Sequence, residues 1–149
     1  MKYIYDFLEN RALIAAIVAW FTAQIIKIII YAITEKKFDI TLMMSSGGMP
    51  SSHSATVCAL SVVIMRVCGL SSTAFAIAAV FSFIVMYDAA GVRRAAGEQA
   101  KVLNRLVEDI AQGKKEYMEK DLKELIGHTP LQVFMGAVVG VVTGAVFPV

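Results

Sequence analysis

The sequence predicts an all-α, polytopic membrane helix bundle of about four transmembrane helices, with amphipathic helices between the third and the fourth. Three observations carry this. Hydrophobic residues make up 58% of the 149 positions and charged residues only 17%, whereas about a quarter of an ordinary soluble domain is charged. The apolar residues gather into four runs, none of them alternating as a half-buried strand would. The junctions carry turn and capping residues: Gly and Pro around 47–50, Gly69 with Ser71 and Ser72, and Gly127 before Thr129 and Pro130. The length suits one integral membrane domain over 1–149.

Residues 1–10 form a short amphipathic lead whose Tyr3, Tyr5 and Phe7 suit a membrane interface. The run 12–33 is long enough to span the hydrocarbon core. It is longer than the apolar stretch of a secretory signal, and no small-x-small cleavage site follows, so a retained helix is predicted. Glu35, Lys36, Lys37 and Asp39 mark a polar loop over 34–49. The second span, 54–67, is rich in small residues (Ser54, Ala55, Thr56, Cys58, Ala59, Ser61), which allow close helix packing in lipid. A third span covers 73–87. In the polar segment 88–127, Val92, Ala95, Gln99, Val102 and Leu106 fall at helical spacing and predict a helix with a buried stripe. The segment 114–126 predicts a second amphipathic helix with a solvated charged face, capped by Gly127. Thr129 and Pro130 suit the N-cap and first position of the fourth span, 131–147. Gly136, Gly140 and Gly144 repeat there every four residues, a ladder for helix packing or for a homodimer face.

The two cysteines, Cys58 and Cys68, are ten residues apart on one run. That is roughly 15 Å along a helix, too far for a disulfide, so both are read as packing residues. The net charge of +2 is small, basic residues are interleaved with acidic ones, and no nucleic-acid motif occurs, which excludes nucleic acid as a partner. Four spans place the loops 34–53 and 88–130 on one side with ten Lys and Arg, against Lys2, Arg11 and Arg66 on the other. The positive-inside rule makes the first side cytoplasmic, in a plasma membrane of bacterial type.

The most informative string is Gly47-Gly48-Met49-Pro50-Ser51-Ser52-His53-Ser54-Ala55, set at a membrane surface. Glycines allow a backbone to approach a ligand closely. Pro50 is expected at the first helical position, with Ser51 and Ser52 in the first turn, where helix-start N–H groups and the dipole favour an anion. His53 adds a group that exchanges protons near neutral pH. Lys27 lies within the first span, about two turns from its end on the motif side, where an ionisable group is costly and calls for an anionic partner. Gln24 shares nearly the same face. Asp88 closes the third span and is a candidate to orient His53 or the Arg93-Arg94 pair, whose guanidinium forks suit phosphate. His128 stands at the helix break on the motif side.

Pro50-Ser51-Ser52-His53 resembles the PSGH motif of the type 2 phosphatidic acid phosphatase superfamily, which includes lipid phosphate phosphatases and vanadium haloperoxidases. The longer string, together with Asp88-Ala-Ala-Gly-Val-Arg-Arg-Ala-Ala-Gly97, is similar to a small divergent branch of it. The resemblance runs over nearly the whole chain. It implies a metal-free and cofactor-free phosphatase in which the PSGH histidine is the general acid and a second histidine becomes phosphorylated. Position by position, His53 takes the general-acid place, and Lys27, Gly48, Ser51, Ser52, Arg93 and Arg94 the phosphate grip. The lysine motif has no Arg-Pro after Lys27. In the register of Arg93 the nucleophile position is Gln99 and the following acid position Leu103; in that of Arg94 they are Ala100 and Asn104. Glutamine forms no phosphoryl-enzyme intermediate, so Gln99 is left as a phosphate contact. Three outcomes stay open: His128 enters as the nucleophile, His53 or Asp88 activates water, or the site binds a lipid phosphate without chemistry and serves recognition or lipid transport. The enzyme expected is a lipid phosphatase acting on a phosphatidate or a polyprenyl phosphate.

Overall fold

A computed structural model describes residues 2–44, 47–91, 99–100, 102–104, 107 and 128–149. Its helices are α1 (Lys2–Glu9), α2 (Arg11–Glu35), α3 (Ser52–Cys68), α4 (Thr73–Ala90) and α5 (Pro130–Val146), with a 3-10 turn at Ile40–Met44. Among the described residues there is no strand. By length and composition α2 and α4 can cross a membrane; α3 and α5 are apolar but shorter, at 17 residues each, or roughly 25 Å. Arg93, Arg94 and nearly all of the amphipathic helices expected over 88–126 lie outside the described residues.

The middle of the bundle is α3, flanked by α2, α4 and α5. Small residues make this possible. Ala15, Ala16, Ala19 and Ala23 of α2 are buried, as are Ala55, Cys58 and Ala59 of α3, and with so little side chain between them the backbones approach closely. Ser82 of α4 donates to the Val57 carbonyl of α3 at 2.9 Å and pairs with Ser61 at 2.8 Å. The outer face of α4 exposes Ile77, Val80, Phe81, Phe83, Ile84 and Tyr87. A continuous apolar surface of that extent is suited to lipid, not water. Tyr3, Tyr5 and Phe7 are exposed on α1, which buries no residue.

The glycine ladder packs within the chain. Cβ atoms added at Gly136, Gly140 and Gly144 would run into the Ser51, Ala55 and Ala59 carbonyls in turn. Both series advance by four, so α3 and α5 run parallel, with their N-termini together. The homodimer face considered for these glycines is therefore occupied by α3 of the same chain. At the opposite end Arg66 donates to the carbonyls of Gly144 (2.8 Å) and Phe147 (2.7 Å), satisfying groups that a helix end leaves unpaired. Replacing Arg66 by Gln is expected to cost about 1 kcal/mol of stability, read as an earlier thermal unfolding in detergent; an unchanged transition would show that water serves those carbonyls equally well.

Cys58 is buried and Cys68 exposed, both as free thiols. Helix boundaries follow the sequence expectation to within a few residues, with one instructive shift at the motif. Pro50 precedes the helix instead of opening it, after a cis Met49–Pro50 bond, and Ser51 is the N-cap, its hydroxyl accepting from Ser54 N–H. At the other helix start Thr129 caps and Pro130 takes the first position, as expected.

Candidate functional site

Three pieces of chain converge at the joint start of α3 and α5. The first is the N-cap of α3. Ser51 is fully buried; its N–H donates to the Gln132 carbonyl at 3.0 Å, and its hydroxyl caps Ser54. Ser51 thus has its N–H taken and its hydroxyl oxygen engaged as an acceptor, which leaves the hydroxyl hydrogen as its side-chain donor. The helix-start N–H groups that follow, of Ser52 and His53, have no intrahelical carbonyl one turn back. Ser52 is buried and His53 half-buried.

The second piece is the start of α5. His128 is only 2% exposed. Its backbone N–H donates to the Ala89 carbonyl in the last turn of α4 at 3.1 Å, which ties the break before α5 to the residue after Asp88. Asp88 itself is half-buried. The His128 ring lies edge-on to the His53 ring, centroids 5.9 Å apart. Two residues 75 positions apart in sequence thus share one spot at the positive ends of two parallel helices.

The third piece is Lys27 with the glycine loop. Lys27 is 3% exposed, so it faces the bundle and does not snorkel to the surface. Gly48, at φ +88°, rests on its aliphatic stem: an added Cβ would lie 3.2 Å from both Cγ and Cδ. Both the left-handed backbone and the close approach require glycine there. A cavity of about 270 Å³ adjoins Lys27, lined by Ile30, Tyr31, Thr34, Leu42, Gly47, Gly48 and Met49. Gln24 is buried one turn earlier, but its amide is engaged with the Met43 carbonyl at 2.6 Å, pinning the 3-10 turn against α2. That turn has its own cap: the Asp39 carboxylate accepts from the hydroxyl (2.6 Å) and N–H (2.9 Å) of Thr41, and these bonds hold its pKa below the ordinary carboxylate value.

Of the residues singled out from the sequence, the structure brings His53, His128, Ser51 and Ser52 together and sets Gly48 on Lys27. Gln99 is exposed. Gln132 went unnoticed, although Thr-x-x-Gln before an apolar run is a capping-box signature. Its side-chain oxygen accepts from Thr129 N–H (3.0 Å) and contacts His128 Nδ1 (3.2 Å).

No solved structure matches the chain. A membrane protein of Bacillus subtilis (strain 168), named "uncharacterized membrane protein YuiD", is 44% identical over 146 residues, covering 91% of this chain and 92% of that protein. The family model described as the divergent PAP2 family matches residues 8–143. With the Pro-Ser-Ser-His helix start and the buried lysine inside that match, the chain belongs to the divergent PAP2 family.

Proposed function

We propose that the protein is a membrane phosphatase that hydrolyses a lipid phosphate monoester. The observation that carries this reading is the pairing of His53 with His128 at 5.9 Å between centroids, where two helix N-termini meet. Each terminus favours an anion, and Lys27, buried beside the glycine loop, adds a full positive charge. Arg93 and Arg94, following α4, are assigned to the same phosphate. The cavity beside Lys27 has Ile30, Leu42 and Met49 in its wall, which suits a ligand with a charged head and an apolar tail.

The chemistry follows from two imidazoles with different tasks. The lone pair of His128 Nε2 attacks phosphorus, and the P–O bond to the lipid breaks with its electron pair on the ester oxygen. His53 gives that oxygen a proton, and the lipid alcohol leaves. Water then attacks the phosphohistidine, yielding a proton to His53. The P–N bond breaks, inorganic phosphate departs, and both rings return to their starting states. Helix-start N–H groups and Lys27 stabilise the charge on the phosphoryl oxygens. Asp88, one residue from the carbonyl that holds His128, orients the arginines or His53. His128 here takes the task that Gln99 cannot perform. The motif face is placed on the cytoplasmic side by its excess of Lys and Arg.

The exposed glutamine at the expected nucleophile position favours a second reading, a lipid-phosphate binder without turnover. Phosphate release from detergent-purified protein, over phosphatidates and polyprenyl phosphates, separates the two. Release is expected to survive EDTA and to fall at least a hundredfold in His53→Ala. Vanadate binding with no release from any of these lipids would leave the binder.

A further inference from the structure

A second cavity lies at the end of the bundle away from the motif, where α2 begins and α3 ends. Its volume is about 510 Å³, within the roughly 300–1,000 Å³ of small-molecule sites. The wall is aliphatic: Leu13 comes from α2, and Leu60, Ile64 and Val67 from α3. The mouth carries one charge of each sign, Glu9 at the end of α1 and Arg11 at the start of α2, both exposed. Asn10 between them is fixed as the N-cap. Its side-chain oxygen accepts from Leu13 N–H at 3.1 Å, and its own N–H donates to the Phe7 carbonyl at 3.2 Å. That cap serves the third helical N–H, while those of Arg11 and Ala12 have no intrahelical carbonyl to meet. Two helix poles come together here: α2 brings its positive start, and α3, antiparallel to it, its negative end at Cys68. Arg66, at the same end, is turned to the Gly144 and Phe147 carbonyls, so Glu9 and Arg11 are the ionised groups of this cavity. Helix α1, whose exposed Tyr3, Tyr5 and Phe7 suit the membrane interface, leads directly into the mouth. The opening thus sits at head-group depth, with the aliphatic wall toward the hydrocarbon.

We propose that this cavity binds a phospholipid with a primary ammonium head, of the phosphatidylethanolamine type. The lipid phosphate takes Arg11 and the N–H groups that open α2. The ammonium takes the Glu9 carboxylate and the carbonyl end of α3. One acyl chain lies along Leu13, Leu60, Ile64 and Val67. Each charge of the zwitterion then meets an opposite charge and a helix pole of matching sign. An anionic head without the ammonium leaves Glu9 and the end of α3 unmatched. A choline head offers no N–H to a carboxylate and is recognised by aromatic faces, and no aromatic residue lines this cavity. The ligand is a phosphodiester held at the opposite membrane face from the motif, so the inference does not rest on the phosphatase reading.

The test uses a thiol that the chain already carries. Cys68 lines the cavity and is exposed, while Cys58 is buried, so alkylation of Cys68 reports occupancy. The full chain in detergent is doped with phosphatidylethanolamine, phosphatidylcholine or phosphatidylglycerol of the same acyl chains. The rate of single alkylation is followed by intact mass, with Cys68→Ser identifying the label. Phosphatidylethanolamine at about ten times its Kd is expected to slow alkylation about tenfold, and the other two lipids at the same concentration less than about twofold. Glu9→Gln should bring the rate in phosphatidylethanolamine close to that in phosphatidylcholine. Arg11→Gln should remove protection by all three. Both side chains are exposed, so these variants are expected to keep the fold. Equal protection by the three lipids, or protection by phosphatidylethanolamine that survives Glu9→Gln, overturns the proposal. Alkylation that no lipid slows overturns it too. Protection that appears without lipid and rises with protein concentration would give the cavity to a second copy of the chain and overturn it likewise.

Discussion

Replacing His128 by glutamine is expected to abolish the phosphoenzyme and lower turnover by roughly a thousandfold or more, since covalent catalysis ends when the nucleophile is gone. Glutamine keeps much of the volume of a side chain that is 2% exposed and packed on His53, so the thermal transition should move little. The measurement is a quench in alkaline detergent after mixing with radiolabelled lipid phosphate: a phosphohistidine is stable to base and labile to acid, and should be found in the wild type and not in His128→Gln. His53→Ala should still form it, slowly, because the departing oxygen can take its proton from water. Label trapped equally in His128→Gln would move the nucleophile elsewhere, and full turnover without any trapped label would favour direct attack by water.

The second large effect is expected in the spine of the bundle. A methyl group at Gly140 would stand 2.8 Å from Cys58 Cβ and 2.9 Å from the Ala55 carbonyl carbon, against the carbonyl oxygen as well. Backbone cannot turn aside as a flexible side chain does. Gly140→Ala is therefore expected to cost about 3 kcal/mol, at the upper end for overpacking, read as a lower unfolding temperature in detergent or as failure to accumulate. Gly136→Ala should add a loss of activity, since its Cβ would press on the Ser51 carbonyl at the start of the motif helix. An unfolding temperature for Gly140→Ala equal to that of the wild type would mean that α3 and α5 are less tightly joined than their glycines indicate.

Much of this was legible from residue order. Thr129, Pro130 and the glycines every four residues announced the start and the packing face of α5, because capping and close approach depend on local chemistry and spacing. Lys27 stood out because a cation in an apolar run is costly. Other features were hidden for a physical reason: they are relations between distant segments. Nothing near Ser51 indicates that its N–H is taken by Gln132, or that Arg66 reaches the carbonyls of Gly144 and Phe147. The displacement of Pro50 from the first helical position is a matter of one turn of chain, where boundaries are least defined by sequence. The nearness of His53 and His128 follows only from the parallel course of α3 and α5, which no local pattern encodes.

That parallel course has an electrical consequence. Neighbouring helices that run in opposite directions set unlike poles side by side; α3 and α5 set like poles together, which is repulsive at both ends. At the far end the chain carries its own remedy, the cation of Arg66 lying against the terminal carbonyls of α5. At the near end the two starts leave a place where one anion would face both positive poles. The like poles that would favour such an anion would equally hold it, so an anion carried there would leave against the attraction that bound it.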